Sequence, residues 1–351
     1  MDQASVNPLE RCIGLDLGDH SSAYCVLGEN GKILQEGTVE SSHEGLSRLF
    51  ESMPPSRIVM EATRNTHWIR KLLKSLGHEV IVANPRRLAA LTENPRKTDR
   101  NDARMLARIG RLDLELLSRV HERSDESMQA RLLLRARSQL VRMRTKLVNQ
   151  VRGSVKPFGH CLPTCSTETF HVRAKAAIPE PLRPALLPLL EVLGKLKETI
   201  AHYDDEVERL SKEHPQTAIL RQIHGVGPLV ALAFVLAIGD PERFKQGRSV
   251  GAYLGLTPRL RQSGKSDPKL RITKEGDGDV RSLLVTAAMH MTSRSAPDSD
   301  LKRYGRRIAA SRTPRDRGRA RIAVARKLAV LMHRLLRTGE VYQPLRANPA
   351  A

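Results

Sequence analysis

Short apolar runs separated by turn signals fill the first hundred residues, the spacing of strands alternating with helices. Cys12-Ile-Gly-Leu-Asp-Leu-Gly18 predicts a strand carrying one acid, Asp16. A second strand is predicted at Ala23–Leu27. Asn30-Gly31 follows, the strongest short hairpin signal, and Ile33–Val39 would return antiparallel. Leu46, Leu49 and Phe50 recur at helical spacing over Ser42–Met53. Arg57-Ile-Val-Met-Glu61 is another apolar strand, again closing on an acid. Thr66–Leu76 reads as a helix stopped by Gly77, and Glu79–Ala83 as a fifth strand. Three hairpin strands followed by αβαβ predict a mixed five-stranded sheet with helices packed on it, an α/β unit. Beyond the loop Asn94–Thr98 a helix should run over Asp99–Gly110, capped by the Thr98 hydroxyl.

The pattern then lengthens to that of long helices. Leu133, Ala136, Leu140, Met143, Leu147 and Gln150 alternate by three and four, as do Leu189, Leu193, Leu196, Ile200, Tyr203, Val207 and Leu210. Joined by the Pro- and Gly-containing stretch Gly153–Pro184, the two suggest an antiparallel hairpin or an intermolecular coiled coil. From about Thr217 a mainly helical unit is expected. Ile223-His-Gly-Val-Gly-Pro228 opens an apolar helix, Leu229–Ile238. A polar loop, Thr257–Asp279, precedes helices over Val280–Thr292 and Arg321–Leu336. The resulting segments are 1–120, 121–215 and 216–345.

Charge narrows the function. The 351 residues carry 59 Lys and Arg against 38 Asp and Glu, a formal net charge of +21, which points to a polyanionic partner, with nucleic acid the default. Aromatic residues are only 3%, too few for a base-stacking single-strand reader. The basic residues are clustered. Ser127–Thr167 holds no acid but eight basic residues, and Lys302–Arg337 holds thirteen Lys or Arg and one acid, Asp316. No apolar run reaches the roughly 18 residues of a membrane span, Met1–Glu10 lacks a signal-peptide core, and four cysteines make no disulfide framework. A reducing cytoplasm is the expected compartment.

Four acids are candidates for chemistry. In a βββαβαβ sheet the strands bearing Asp16 and Glu61 would be parallel neighbours, their carboxyl ends facing one crevice. Asp99 and Asp102, three apart, share a helical face in a first turn whose dipole favours carboxylates. Four converging carboxylates need cations between them, and oxygen ligands without Cys or His suit Mg²⁺. Two such ions can activate the attacking oxygen and stabilise the leaving oxygen at a phosphodiester. Arg96, Lys97, Arg100 and Arg104 interleave with Asp99 and Asp102 as phosphate contacts, and Arg131, Arg135, Arg142 and Lys146 lie on the acid-free helix. Singly, each acid has a plainer reading as a cap or a solvated carboxylate. His160, Cys161, Cys165 and His171 form an isolated set of possible zinc ligands. Ile223–Gly227 is similar to a helix-hairpin-helix loop, whose glycines let backbone amides approach phosphate.

Ile13-Gly-Leu-Asp16, Val59-Met-Glu-Ala62 and Lys97-Thr-Asp-Arg-Asn-Asp-Ala103 resemble the DEDD transposases, bridge-RNA-guided recombinases of insertion sequences related to the Piv DNA invertase. Ile223–Pro228, Ala252-Tyr-Leu-Gly-Leu-Thr-Pro258, Gln262-Ser-Gly264 and Lys274-Glu-Gly276 extend the resemblance over nearly the whole chain. It implies an RNase H-like, RuvC-like first domain, a coiled-coil insertion and a C-terminal transposase domain. It implies that Asp16, Glu61, Asp99 and Asp102 hold Mg²⁺ and that Ser263 attacks DNA to form a phosphoserine, in a composite site between protomers. Its implied partners are double-stranded donor and target DNA, a structured guide RNA, and further copies of the chain as a dimer or tetramer. Arg259, Arg261 and Lys265 would stabilise the phosphorane charge, and Lys274 is a further candidate nucleic-acid contact. Ser266 and Tyr253 offer alternative hydroxyls. Three other readings compete: a water-using junction resolvase or nuclease, an actin-like ATPase suggested by Ile13-Gly-Leu-Asp-Leu-Gly18, and a non-catalytic nucleic-acid-binding protein.

Overall fold

The computed structural model of the protein describes residues 10–84, 98–112, 120–264, 266–268, 270–310 and 313–345. The chain divides into two compact units, Met1–Glu122 and Arg123–Ala351.

In the first unit, strands β1 (Arg11–Asp16), β2 (Ser21–Gly28) and β3 (Ile33–Glu40) form an antiparallel meander. Helix α1 (His43–Phe50) leads to β4 (Arg57–Glu61), and α2 (Thr66–Ser75) to β5 (Glu79–Ala83). The sheet order is β3-β2-β1-β4-β5, with β1, β4 and β5 parallel. This is the mixed five-stranded sheet the sequence predicts. Alternation along the strands sorts the two faces. Ile13, Leu15, Ile58, Met60 and Val82 bury against Leu46 and Phe50 of α1 and Ile69 and Leu73 of α2. The intervening Cys12, Val59, Ile81 and Ala83 bury against Leu106 and Ile109 of α3 (Asp99–Leu112). Both faces being covered, the central strands are apolar on both sides.

Helix α3 lies unusually close to the sheet because Gly14 leaves room for it. A Cβ at Gly14 would stand 1.9 Å from the Ala103 carbonyl oxygen and 2.5 Å from the Ala107 nitrogen. The small side chains Ala103 and Ala107 complete that contact against Ala23, Cys25 and Leu27.

The second unit is helical. Helices α4 (Asp125–Ser154) and α6 (Arg183–Glu213) pack antiparallel, with α5 (Phe170–Ala177) between them in sequence. The buried stripe differs from the predicted one. On α4 it is Ala130, Val148 and Val151 that bury, whereas Met143 is 42% exposed and Gln150 is exposed. On α6, Leu193, Leu196, Ile200 and Val207 bury as expected, but Leu186 and Leu190 replace Leu189 at one end, and Tyr203 and Leu210 are half-buried. The reason is that the pair is not a two-helix seam. One end also packs on Phe170 and Ala174 of α5, and the other on Leu232 and Leu236 of α8 (Pro228–Ile238).

Helix α7 (Pro215–Arg221) precedes α8, which is apolar all round and buried from Ala231 to Ile238, as the centre of a helical core must be. Helices α9 (Arg248–Tyr253), α10 (Gly278–Met291), α11 (Asp300–Ile308) and α12 (Pro314–Thr338) surround it. The predicted stripe of α12 is buried at Ala325, Leu328, Ala329, Met332 and Leu335, with Ile322 half-buried. Among the described residues no helix is long and apolar enough to cross a membrane.

Candidate active site

The register of β1 against β4 pairs Leu15 with Met60, so the next residues, Asp16 and Glu61, end neighbouring parallel strands at the same carboxyl edge. Both side chains are half-buried. Asp99 and Asp102 occupy the first turn of α3, exposed and half-buried respectively. Thr98 caps that turn as expected: its Oγ1 accepts from the Asn101 amide at 3.3 Å, and its carbonyl accepts from the Asp102 amide at 3.0 Å. Asp102 directly precedes Ala103, the residue α3 lays over Gly14 of β1. The elements thus bring the acid-bearing ends of β1 and β4 together and hold the start of α3 on the same sheet. Among the described residues, however, no three Asp, Glu, His or Cys side chains stand close enough to share a metal ion. As a donor set the four carboxylates fit a hard divalent cation, with no nitrogen or sulfur ligand among them.

Two predicted phosphate contacts have another partner. Arg104 holds Glu36 of β3 through Nε and Nη2 at 2.8 and 2.9 Å, and Arg100 pairs with the same carboxylate. Glu36, largely shielded from solvent, needs cationic partners, and the pairing ties α3 to the sheet edge. Arg96, Lys97 and Lys265 lie outside the described residues.

In the second unit the predicted loop Thr257–Asp279 contains an antiparallel hairpin. Thr273 N–H donates to Thr257 O and Arg259 N–H to Arg271 O, both at 2.9 Å. Ser263 and Ser266 exchange backbone hydrogen bonds of 3.1 and 2.9 Å across the tip, with Gly264 at φ +55°. Ser263 is therefore an exposed hydroxyl at the end of a projecting hairpin, and among the described residues no side chain hydrogen-bonds it. Arg259 and Arg261 are exposed on the same arm, and Lys274 is exposed at the hairpin base.

Tyr253 is otherwise engaged. Its hydroxyl donates to Ala237 O and accepts from Arg123 Nη2, both at 3.3 Å, while the Arg243 guanidinium covers its ring. Arg131 is buried against Asp277 at 2.6 Å, and Arg142, still exposed, pairs with Asp279, so both residues join α4 to the start of α10. Burial pushes the Asp277 carboxyl up, but the Val280 and Asp279 amides it caps and the Arg131 charge outweigh that and hold it below its ordinary value. Arg135 and Lys146 remain exposed on α4. Cys161 is exposed and Cys165 half-buried, with Arg152 Nη2 at 3.9 Å from its sulfur. With His160 and His171 they form no metal group among the described residues. Ile223–Gly227 forms the turn between α7 and α8, closed by Val226 N–H to Ile223 O at 3.0 Å with Gly225 at φ +85°. Glu36 was not foreseen, because an acid on an edge strand carries no local signal of its partner.

The sequence that builds this acid-edged sheet and this helical unit matches known proteins over both halves. Residues 13–158 match a family model described as a transposase, of the DEDD type, and residues 217–304 match the model of the transposase IS116/IS110/IS902 family. The chain belongs to this family of insertion-sequence transposases. It is similar to a probable family 20 transposase of Pseudomonas aeruginosa, 28% identical over 84% of this chain and 88% of that protein. It is also similar to the transposase for insertion sequence element IS1111A of Coxiella burnetii, 26% identical over 95% and 91%. The pilin gene-inverting protein of Moraxella bovis is 22% identical over 93% and 95%.

Proposed function

We propose that this protein cuts and rejoins DNA strands to move an insertion sequence, using Asp16, Glu61, Asp99 and Asp102 to hold Mg²⁺ and Ser263 as nucleophile. The observation that carries the reading is the β1–β4 pairing, which puts Asp16 and Glu61 at one carboxyl edge in a chain that matches transposase models in both halves. Bound there, Mg²⁺ would supply Lewis acidity to a phosphodiester. Asp99 and Asp102 would turn inward from the first turn of α3, where the helix dipole already favours their ionised form.

A serine hydroxyl is a weak nucleophile until something takes its proton. In the proposed step the Ser263 Oγ–P bond forms as the P–O bond to the departing strand breaks. The serine proton leaves to a basic oxygen, and the departing oxygen is protonated. Arg259 and Arg261 would offset charge on the phosphorane. The phosphoserine keeps one ester bond for another, so rejoining needs no ATP. We further propose a structured guide RNA and further copies of the chain as partners. The rival reading is a nuclease that uses water in place of the serine. Denaturing gels of protein incubated with labelled DNA and Mg²⁺ separate the two. A covalent adduct that disappears in Ser263→Ala supports the serine. Cleavage without an adduct, or an adduct surviving Ser263→Ala, refutes it.

A further inference from the structure

A groove of about 1520 Å³ opens in the second unit, walled by the arms of the Ser263 hairpin and by α11 and α12. Leu256, Ile272, Leu301, Ile322 and Val330 make much of its surface apolar. Among its described lining residues nine are Lys or Arg, and only Asp267 and Asp300 are acidic. Arg271, Lys274, Arg315 and Arg326 have no carboxylate partner among the described residues. So many like charges round one cavity repel one another until an anion enters.

Lys274 adds an independent observation. Its φ is +57°, and it is the one residue other than glycine with positive φ among the described residues. Chains with a Cβ disfavour that region, and it persists only where the surroundings enforce it. Two glycines enforce it here. A Cβ on Gly255 would lie 2.4 Å from the Glu275 nitrogen, and one on Gly276 would lie 2.1 Å from the Tyr253 carbonyl oxygen. The backbone is thereby interlocked, with Lys274 N–H donating to Gly255 O at 3.2 Å and the lysine lining the groove.

We propose that this groove seats one DNA strand, its sugar and base faces on the apolar surface and its phosphates on Arg271, Lys274, Arg315 and Arg326. The strained backbone at Lys274 is retained because it delivers that ammonium to the rim. The choice of DNA rests on the reading of Ser263, which sits at the tip of the hairpin forming one wall; the cavity and its charge do not depend on it.

The test uses the full-length protein and fluorescence anisotropy with labelled mixed-sequence DNA across a salt series. Lys274→Gly and Arg326→Ala each remove one phosphate contact, so with single-stranded DNA the log–log salt slope should fall by about 0.7. A fourfold rise in salt should then weaken each variant about 2.6-fold less than the wild type. Lys274→Gly should melt no lower than wild type, since glycine accepts the positive φ, which separates lost charge from lost fold. Lys212→Ala, on an exposed position of α6, should bind as wild type does. Unchanged salt slopes in both groove variants overturn the proposal, and so does a loss of affinity seen with RNA and not with DNA. The adduct assay on Ser263→Ala tells failure of the nucleophile reading apart from failure of the groove. An adduct surviving in that variant would refute the nucleophile while the groove stands on its own binding loss.

Discussion

Gly14→Ala should be among the most damaging single-methyl changes in the first unit. The added Cβ would meet the Ala103 carbonyl oxygen at 1.9 Å and the Ala107 nitrogen at 2.5 Å. Both are backbone atoms, so no rotamer change relieves the clash, and truncating Ala103 or Ala107 to glycine does not help. Helix α3 must retreat from β1 by on the order of 1 Å, which loosens the packing of Ala103, Leu106, Ala107 and Ile109 together. Overpacking typically costs about 1–3 kcal/mol, and a clash with two backbone atoms belongs at the upper end. For a unit of this size about 3 kcal/mol corresponds to a fall in Tm of roughly 10 °C. The same retreat carries Asp102 away from the edge where Asp16 and Glu61 end, so DNA cleavage should fall more than the folded fraction does. Differential scanning calorimetry beside a cleavage assay below the variant's Tm reads both effects. A Tm within about 2 °C of wild type would refute the close approach of α3 to β1, and with it the placement of the acids.

The remaining predictions concern buried polar groups. His78 accepts the Ser56 amide on Nδ1 at 3.2 Å and so donates from Nε2 to Phe50 O at 3.1 Å, a neutral tautomer; burial lowers its pKa against those bonds. The unfolded chain then takes up its proton first, so His78 contributes its full stability above about pH 6.5 and loses it as pH falls below that. Chemical denaturation from pH 7.5 to 5 should show that decline, and His78→Gln should flatten it; an unchanged slope would refute the assignment. Asp277→Ala removes both the α10 cap and the partner of buried Arg131, and should cost about 3–5 kcal/mol in urea titration. With its carboxyl held below the ordinary value, Asp277 contributes stability above about pH 3.8 and loses it as pH falls further. A cost under about 1 kcal/mol would mean the pair is only a surface contact.

Much of the fold was legible because local periodicity and turn chemistry are written residue by residue. Asn30-Gly31 at the β2–β3 turn, Thr98 before α3, and the spans of β4 and β5, which match residue for residue, show it, whereas α12 begins at Pro314, seven residues before the predicted start. Patterns failed where a helix has more than one neighbour. The heptad reading of α6 chose Leu189, but α5 packs on that end of the helix and Leu186 and Leu190 are buried there instead. The site shows the same division. Strand order could be inferred from the alternation of elements, so Asp16 and Glu61 were placed beside each other from spacing alone.

Sequence by itself determined which residues are apolar at which period, hence the elements, the excess of positive charge and the four acids at element ends. It could not determine which cations are free. Arg100, Arg104, Arg131 and Arg142 look like phosphate contacts along the chain, yet each meets a carboxylate more than sixty residues away, Glu36, Asp277 or Asp279. Lys274 and Arg326, no more conspicuous in the sequence, line an apolar groove without such a partner among the described residues. Charge pairing is decided by distance in space, and only the tertiary structure sets that distance.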